Sequence, residues 1–228
     1  MDLQACSIVD RILSIRATLP DSVRLIAVSK GVSGDAIRQA HAAGVRDFGE
    51  NRVQEAIAKQ AELQDLNDIH WHLIGHLQSN KARMALQHFD WIHSVDSLKL
   101  AQHLNHLSQD LSPPPVLLQV KLRNDPNKYG WNPVDLLQDL PQLAQCSHLQ
   151  VAGLMVILPL ELSETEQLST FGQARQLQLQ IQAQMREQQW QNMPMTELSM
   201  GMSGDYLQAV QAGATMVRLG RILFGERC

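Results

Sequence analysis

Short apolar runs alternate with longer amphipathic stretches along nearly the whole chain. The runs expected to form strands are residues 23–28, 45–48, 70–74, 91–94, 116–121, 151–156, 197–200 and 215–219. Segments of helical period lie between them. Residues 35–43 end at Gly44, 51–63 follow Glu50, and 97–111 stop at Ser112-Pro113-Pro114-Pro115, where proline forbids continuation. Ser163, with Glu166 three residues on, has the spacing of a capping box and opens a helix that runs to about Gln189. Residues 1–19 place Leu3, Cys6, Val9, Ile12 and Leu13 at helical intervals broken by charges, which predicts an amphipathic helix rather than a signal peptide.

Eight strands alternating with helices in 228 residues predict an α/β protein: a single (β/α)8 TIM barrel preceded by an N-terminal helix, one domain over 1–228. The length is close to the ~250 residues such barrels commonly need. A doubly wound open sheet shares the alternation but calls for a G-x-G-x-x-G turn after its first strand. The turn here is Ser29-Lys30-Gly31-Val32-Ser33-Gly34, with too few glycines at the wrong spacing.

Composition narrows the partners. The chain is 44% hydrophobic, enough for a substantial core, and its formal net charge of -4 gives no electrostatic footprint for nucleic acid or an anionic membrane. No stretch is long enough to span a bilayer. Cys6, Cys146 and Cys228 are widely spaced without a C-x-x-C pair, and read as reduced thiols of a cytoplasmic protein. The Gln-rich tract 176–191 keeps Leu177, Leu179, Ile181, Met185 and Trp190 on a rough helical face and reads as a long exposed helix.

Candidate chemistry collects at the strand ends, which in a barrel converge on one face. Lys30 follows the apolar run 23–28 and precedes Gly31. A buried ammonium is costly to desolvate, and the neutral amine is a nucleophile that forms an imine with an aldehyde or ketone. The bland alternative is a strand-end lysine snorkelling into water. After the seventh and eighth strands, Gly201, Ser203, Gly204 and Gly220 supply the small residues that let backbone N–H groups approach phosphate oxygens. Arg218, two residues before Gly220, is oriented by the pleat toward the same mouth. An imine-forming lysine beside a phosphate cup suits an aldolase acting on a phosphorylated ketose, or a site for pyridoxal 5'-phosphate (PLP). His70 and His72 form an H-x-H pair for which no third metal ligand of suitable spacing is evident.

Several long motifs carry a family resemblance. They are Ala27-Val28-Ser29-Lys30, Phe48-Gly49-Glu50-Asn51, the run from Trp71 through Gly75-His76-Leu77-Gln78 to Lys81, His93-Ser94-Val95-Asp96-Ser97, the run from Leu198 to Asp205, and that from Gly213 to Gly225. In this order they resemble the pyridoxal phosphate homeostasis protein family. The resemblance implies a barrel similar to the N-terminal domain of bacterial alanine racemase, with PLP held as a Schiff base on Lys30. It implies that Ser203 and Gly220, with backbone N–H groups around Ser199, Gly201 and Arg221, hold the phosphate. Arg218 would face the pyridine nitrogen side, Asn51 would lie beside the ring, and His76 near the same mouth. An arginine only donates, so it disfavours the protonated pyridine that makes PLP a strong electron sink. Racemases of this type use a second, β-rich domain, which is not expected after Cys228. The only tyrosines are Tyr129 and Tyr206, and Tyr206 opens a helix as either a packing aromatic or a proton-transfer group.

The implied function is that of a cytoplasmic, monomeric, non-catalytic PLP-binding protein of vitamin B6 and amino-acid homeostasis, with PLP-requiring apoenzymes as further partners. Two alternatives remain open: an enzyme, either a small PLP-dependent racemase or lyase or a cofactor-free Schiff-base aldolase, and a regulatory interaction module with structural PLP, motivated by the Gln-rich helix.

Overall fold

The computed structural model describes residues 7–123, 125 and 128–225. Eight parallel strands close in chain order into a barrel: β1 (Arg24–Val28), β2 (Asp47–Glu50), β3 (His70–Leu73), β4 (Trp91–Val95), β5 (Val116–Val120), β6 (Val151–Val156), β7 (Glu197–Ser199) and β8 (Met216–Leu219). The intervening helices are α2 (Gly34–Ala42), α3 (Val53–Glu62), α4 (Ala82–His88), α5 (Leu98–Leu107), α6 (Pro133–Ala144), α7 (Glu164–Gln188) and α8 (Tyr206–Gln211). A first helix, α1 (Ile8–Arg16), packs beside α2 and the short α9 (Arg221–Phe224). It starts at a Ser7 capping box with Asp10. Leu3 and Cys6 of the expected N-terminal helix, the thiol of Cys228, and Asn127 lie outside the described residues.

Strand alternation divides the core in two, because successive side chains point to opposite faces. Ala27, Phe48, Leu73, Leu118, Leu154 and Val217 face the helices and belong to one large apolar cluster with Ile37, Leu104, Leu140 and Phe171. Ile26, Leu117, Ala152, Met155 and Met216 form a separate, much smaller cluster inside the lumen. Trp91 and Ile157 pack against it, and buried polar side chains, among them His72, His93, Ser199 and Arg218, occupy much of the rest of the lumen, which matters for the site.

Three elements differ from the sequence expectation. β2 runs Asp47–Glu50 rather than 45–48, because Gly49 is a strand residue and not a loop breaker. A Cβ there would stand 3.0 Å from Ile74 Cδ1 and 3.1 Å from Ile26 Cγ2, so glycine makes room in the lumen. α3 starts at Val53 with Arg52 extended before it, which leaves Asn51 outside the helix. The long helix α7 does open at a Ser163–Glu166 capping box, but it is not an exposed rod. Phe171, Leu177, Gln178, Ile181 and Met185 are buried along one face, Leu179 points out, and Trp190 lies beyond the left-handed Gln189 that ends the helix. Gln178 Nε2 donates to the carbonyls of Met195 (2.8 Å) and Glu197 (3.2 Å), and Gln182 Nε2 to Met195 (2.7 Å), so these glutamines tie α7 to the chain entering β7.

The barrel closes on the β7–β8–β1 side. Thr215 N–H donates to Leu198 O (3.0 Å), Met200 N–H to Met216 O (3.1 Å) and Arg218 N–H to Gly201 O (2.9 Å). Among the described residues, no helix is long and apolar enough to cross a membrane.

On β6, Gly153 sits opposite Glu197, and a Cβ there would run into the Glu197 carbonyl. Gly153→Ala should therefore force the β6–β7 pair apart and destabilise the barrel by about 1–3 kcal/mol, the usual cost of overpacking. Thermal unfolding followed by circular dichroism measures this, and an unchanged midpoint would contradict it.

Candidate functional site

Lys30 continues the lumen-facing register of β1. Ile26 belongs to the lumen cluster, and Val28 and Lys30 both line one cavity of about 510 Å³ at the C-terminal mouth. The strand itself ends at Val28, and Lys30 stands half-buried in the turn that follows. That turn closes with Val32 N–H donating to Ser29 O (2.9 Å), and its third residue, Gly31, has φ +67°, a conformation glycine adopts without strain.

Behind the turn lies a buried ionic clamp. Lys59, on α3, donates to Ser29 O (2.6 Å), to Glu50 Oε1 (2.7 Å) and to Glu55 Oε1 (2.8 Å). Ser29 Oγ also donates to Glu50 Oε1 (2.7 Å), and Gly31 N–H donates to Glu55 Oε1 (2.6 Å). The turn carrying Lys30 is thus gripped through its backbone on both sides of the lysine. Glu50 is fully buried, and its Oε2 has no hydrogen-bond partner. Burial pushes its carboxyl above the ordinary glutamate value, with hydrogen bonds from Lys59 and Ser29 acting in the opposite direction.

The opposite wall of the cavity is built by the loops after β7 and β8. Met202, Ser203, Gly204 and Asp205 line it from the first, Gly220 and Arg221 from the second. Gly201 turns the first loop with φ +95°, and a Cβ there would stand 2.7 Å from Ala209 Cβ. Asp205 Oδ1 accepts the Met202 N–H at 2.6 Å and so folds the loop back on itself. A Cβ on Gly204 would meet nothing within 4 Å, so that side of the loop is open. Arg218 forms the floor. It is 4% exposed and donates from Nη1 to Ser199 Oγ (2.6 Å) and from Nη2 to Val156 O (2.8 Å). Desolvation lowers its pKa to about 10, partly offset by Asp205, so it stays cationic at neutral pH.

Of the nine residues singled out from sequence, Lys30, Ser203, Arg218, Gly220 and Arg221 share this cavity. Ser199 and Gly201 lie directly beneath it, one bonded to the Arg218 side chain and the other to its backbone. Asn51 and His76 stand elsewhere on the mouth and do not line it. His76 is exposed, stacks on Tyr129 at 3.8 Å between ring centroids, and bonds Asp96 through Nδ1 at 2.9 Å. Lys121 lines a separate cleft of about 740 Å³ with Asp96 and Trp131, away from the small-residue loops. The Tyr206 hydroxyl lies 3.3 Å from Thr18 Oγ1, engaged with the α1–β1 connection rather than the cavity. His70 is exposed while His72 is buried between His93 and Asp47, so the H-x-H pair does not meet at one point. Lys59 and Glu55 were not found from sequence. The usable signal was Glu50, an acid inside an otherwise buried strand, which requires a cation nearby.

Comparison with known proteins identifies the family and the fold. The family profile described as alanine racemase, N-terminal domain, matches residues 3–228. A pyridoxal phosphate homeostasis protein of Synechocystis sp. is 50% identical over 214 residues, covering 93% of this chain and 95% of its own. The structure of PipY from Synechococcus elongatus PCC7942, with PLP bound, superposes with a TM-score of 0.89 at 55% identity, covering 96% of this chain and all of that one. An alanine racemase of Clostridium difficile 630 shares the fold at a TM-score of 0.75 and 15% identity, with 96% of this chain matching 56% of that one.

Replacing Lys59 by methionine would leave the Glu50 carboxylate buried without its cation, at a cost of about 3–5 kcal/mol. Glu50 has a raised folded-state value, so the folded protein takes up its proton at higher pH than the unfolded chain does. The penalty in Lys59→Met should therefore be largest at neutral pH and shrink as pH falls through that raised value. Denaturant unfolding at neutral and mildly acidic pH tests both parts; a loss independent of pH would contradict the assignment.

Proposed function

Since the chain belongs to the pyridoxal phosphate homeostasis protein family, whose barrel is that of the alanine racemase N-terminal domain, we propose that it binds PLP covalently through Lys30 and buffers or delivers it. The observation that carries this reading is a single cavity that joins the Lys30 amine to the loops after β7 and β8, with Arg218 as its floor. PLP brings an aldehyde that condenses with a primary amine, a phosphate that needs close hydrogen-bond donors, and a ring nitrogen that sets its electron demand. The donor set fits all three. Lys30 supplies the amine, Ser203, Gly204 and Gly220 with Arg221 supply an open, small-residue cup for the phosphate, and Arg218 supplies a cation for the ring nitrogen.

Arg218 supports a carrier role more than a catalytic one. It remains protonated at neutral pH and can only donate, so a ring nitrogen that meets it accepts a hydrogen bond and stays unprotonated, and electron withdrawal is muted. Neither tyrosine lines the cavity to move a proton there: Tyr206 is tied to Thr18, and Tyr129 stacks on His76. The setting we propose is the cytoplasm, with PLP-requiring apoenzymes as recipients.

Purified protein mixed with PLP should show a cofactor absorbance band that borohydride fixes as a covalent label on Lys30, located by mass spectrometry. Lys30→Ala should lose both band and label. Ser203→Ala should keep the label and weaken affinity by about fivefold, the worth of one hydrogen bond. A protein that takes up no PLP, or steady turnover of an amino acid at ordinary enzymatic rates, would overturn the proposal.

A further inference from the structure

One continuous series of short hydrogen bonds runs through the lumen beneath Arg218. Arg218 Nη1 lies 2.6 Å from Ser199 Oγ, Ser199 Oγ 2.8 Å from His93 Nδ1, His93 Nε2 2.9 Å from His72 Nδ1, and His72 Nε2 2.9 Å from Asp47 Oδ1. The five residues come from β8, β7, β4, β3 and β2, so the series crosses the barrel interior. It starts at the cavity and ends at the opposite mouth, where Asp47 is partly exposed and Arg24, 3.8 Å away, lies over Trp91.

Donor counting fixes its direction. A guanidinium only donates and a carboxylate only accepts, so Ser199 Oγ accepts from Arg218 and His72 Nε2–H faces Asp47; with neutral rings between these fixed ends, the Ser199 proton goes to His93 Nδ1. His93 then carries its own proton on Nε2 and donates to His72 Nδ1. His72 likewise carries its proton on Nε2 and donates to Asp47. Every group is satisfied with both imidazoles neutral. An imidazolium at His93 would instead set Nδ1–H against the only acceptor left for the Ser199 proton. Burial favours the same state, pushing His72 and, more strongly, His93 below the ordinary histidine value, with His72 and Arg218 adding to the effect at His93. Asp47 opposes it at His72, and Arg24 acts against protonation of both rings.

We propose that Ser199, His93, His72 and Asp47 are positioning residues for Arg218, forming a one-way hydrogen-bond file that holds the guanidinium from behind and leaves its remaining N–H donors for the cavity. The file also places a carboxylate at one end and a cation at the other, with neutral rings between, so that the lumen carries no net charge along its length. The role toward the cofactor rests on the PLP reading above. The file itself does not.

Two measurements test it. Histidine nitrogen-15 NMR on cofactor-free protein near neutral pH should show His72 and His93 as neutral Nε2–H tautomers, assigned by the loss of each signal in His72→Asn and His93→Asn. An imidazolium or an Nδ1–H tautomer at either ring would overturn the file, whatever the cavity binds. Ser199→Ala breaks the link nearest Arg218 and spares Lys30, Ser203 and the loop glycines. It should still be labelled on Lys30 after borohydride, but with a displaced absorbance band and about fivefold weaker PLP affinity, the scale of one hydrogen bond. A band and affinity equal to the parent's would overturn the positioning role. Failure of the parent itself to take up PLP would overturn the cofactor reading, and with it the cofactor half of this proposal, while the tautomers would still decide the file.

Discussion

Arg218 carries a full charge inside the barrel with two neutral oxygens as its hydrogen-bond partners, a serine hydroxyl and a backbone carbonyl. Taking a guanidinium out of water costs several kcal/mol unless its donors are met, so the lumen around it cannot be filled as barrel interiors commonly are, with branched aliphatic side chains. Here the aliphatic part shrinks to Ile26, Leu117, Ala152, Met155 and Met216. Much of the remaining space is given to Ser199, His93, His72 and Asp47, residues that would be expensive to bury singly and are affordable only as a connected set. The apolar stability of the fold is displaced to the layer between strands and helices, where the large cluster lies.

The strand pleat then allots two different jobs to neighbouring residues at one corner of the barrel. On β1 and its extension, Ile26, Val28 and Lys30 face inward, while Ala27 and Ser29 face the helices. Ser29 and Glu50 meet Lys59 on the outer side, and Lys30 meets the cavity on the inner side. The Lys30 amine therefore stands in front of an ionic cluster that grips the turn at Ser29 O and Gly31 N–H, the backbone groups on either side of it. A side chain that reaches the cavity from a turn hydrogen-bonded on both flanks is the arrangement expected of a site that must hold a ligand in one orientation.

How far this was legible in the sequence varies with the physics involved. The βα alternation followed from hydrophobic period, the closed barrel from the strand count and a first turn unlike that of an open sheet, and the capping box that opens α7 from the Ser163–Glu166 spacing. That the small residues after strands seven and eight meet at one cavity was readable because loops at those positions have a meaning peculiar to barrels. β2 was misplaced because Gly49 looks like punctuation in one dimension, and only in three dimensions do Ile26 and Ile74 claim the space its side chain would need. Lys59 was invisible because its partners, Glu50 and Ser29, are nine and thirty residues away. His72 invited a metal reading because a sequence cannot show that its partners are His93, from another strand, and Asp47. The glutamine-rich helix was taken for an exposed rod because composition hides which glutamines are used inward. Gln178 and Gln182 are, as clamps on the chain entering β7.

The seam between β7 and β8 is held by backbone hydrogen bonds that continue past the ends of both strands, and the two loops that line the cavity rise directly from it. A phosphate gripped by both loops would cross-link that seam from above. Occupancy and closure of the barrel would then be linked by mass action: ligand would tighten the seam, and loosening of the seam would favour departure. In such a molecule the free ligand concentration sets local rigidity as well as the bound fraction, so the loaded and empty forms would differ most at the place where a recipient would come to collect.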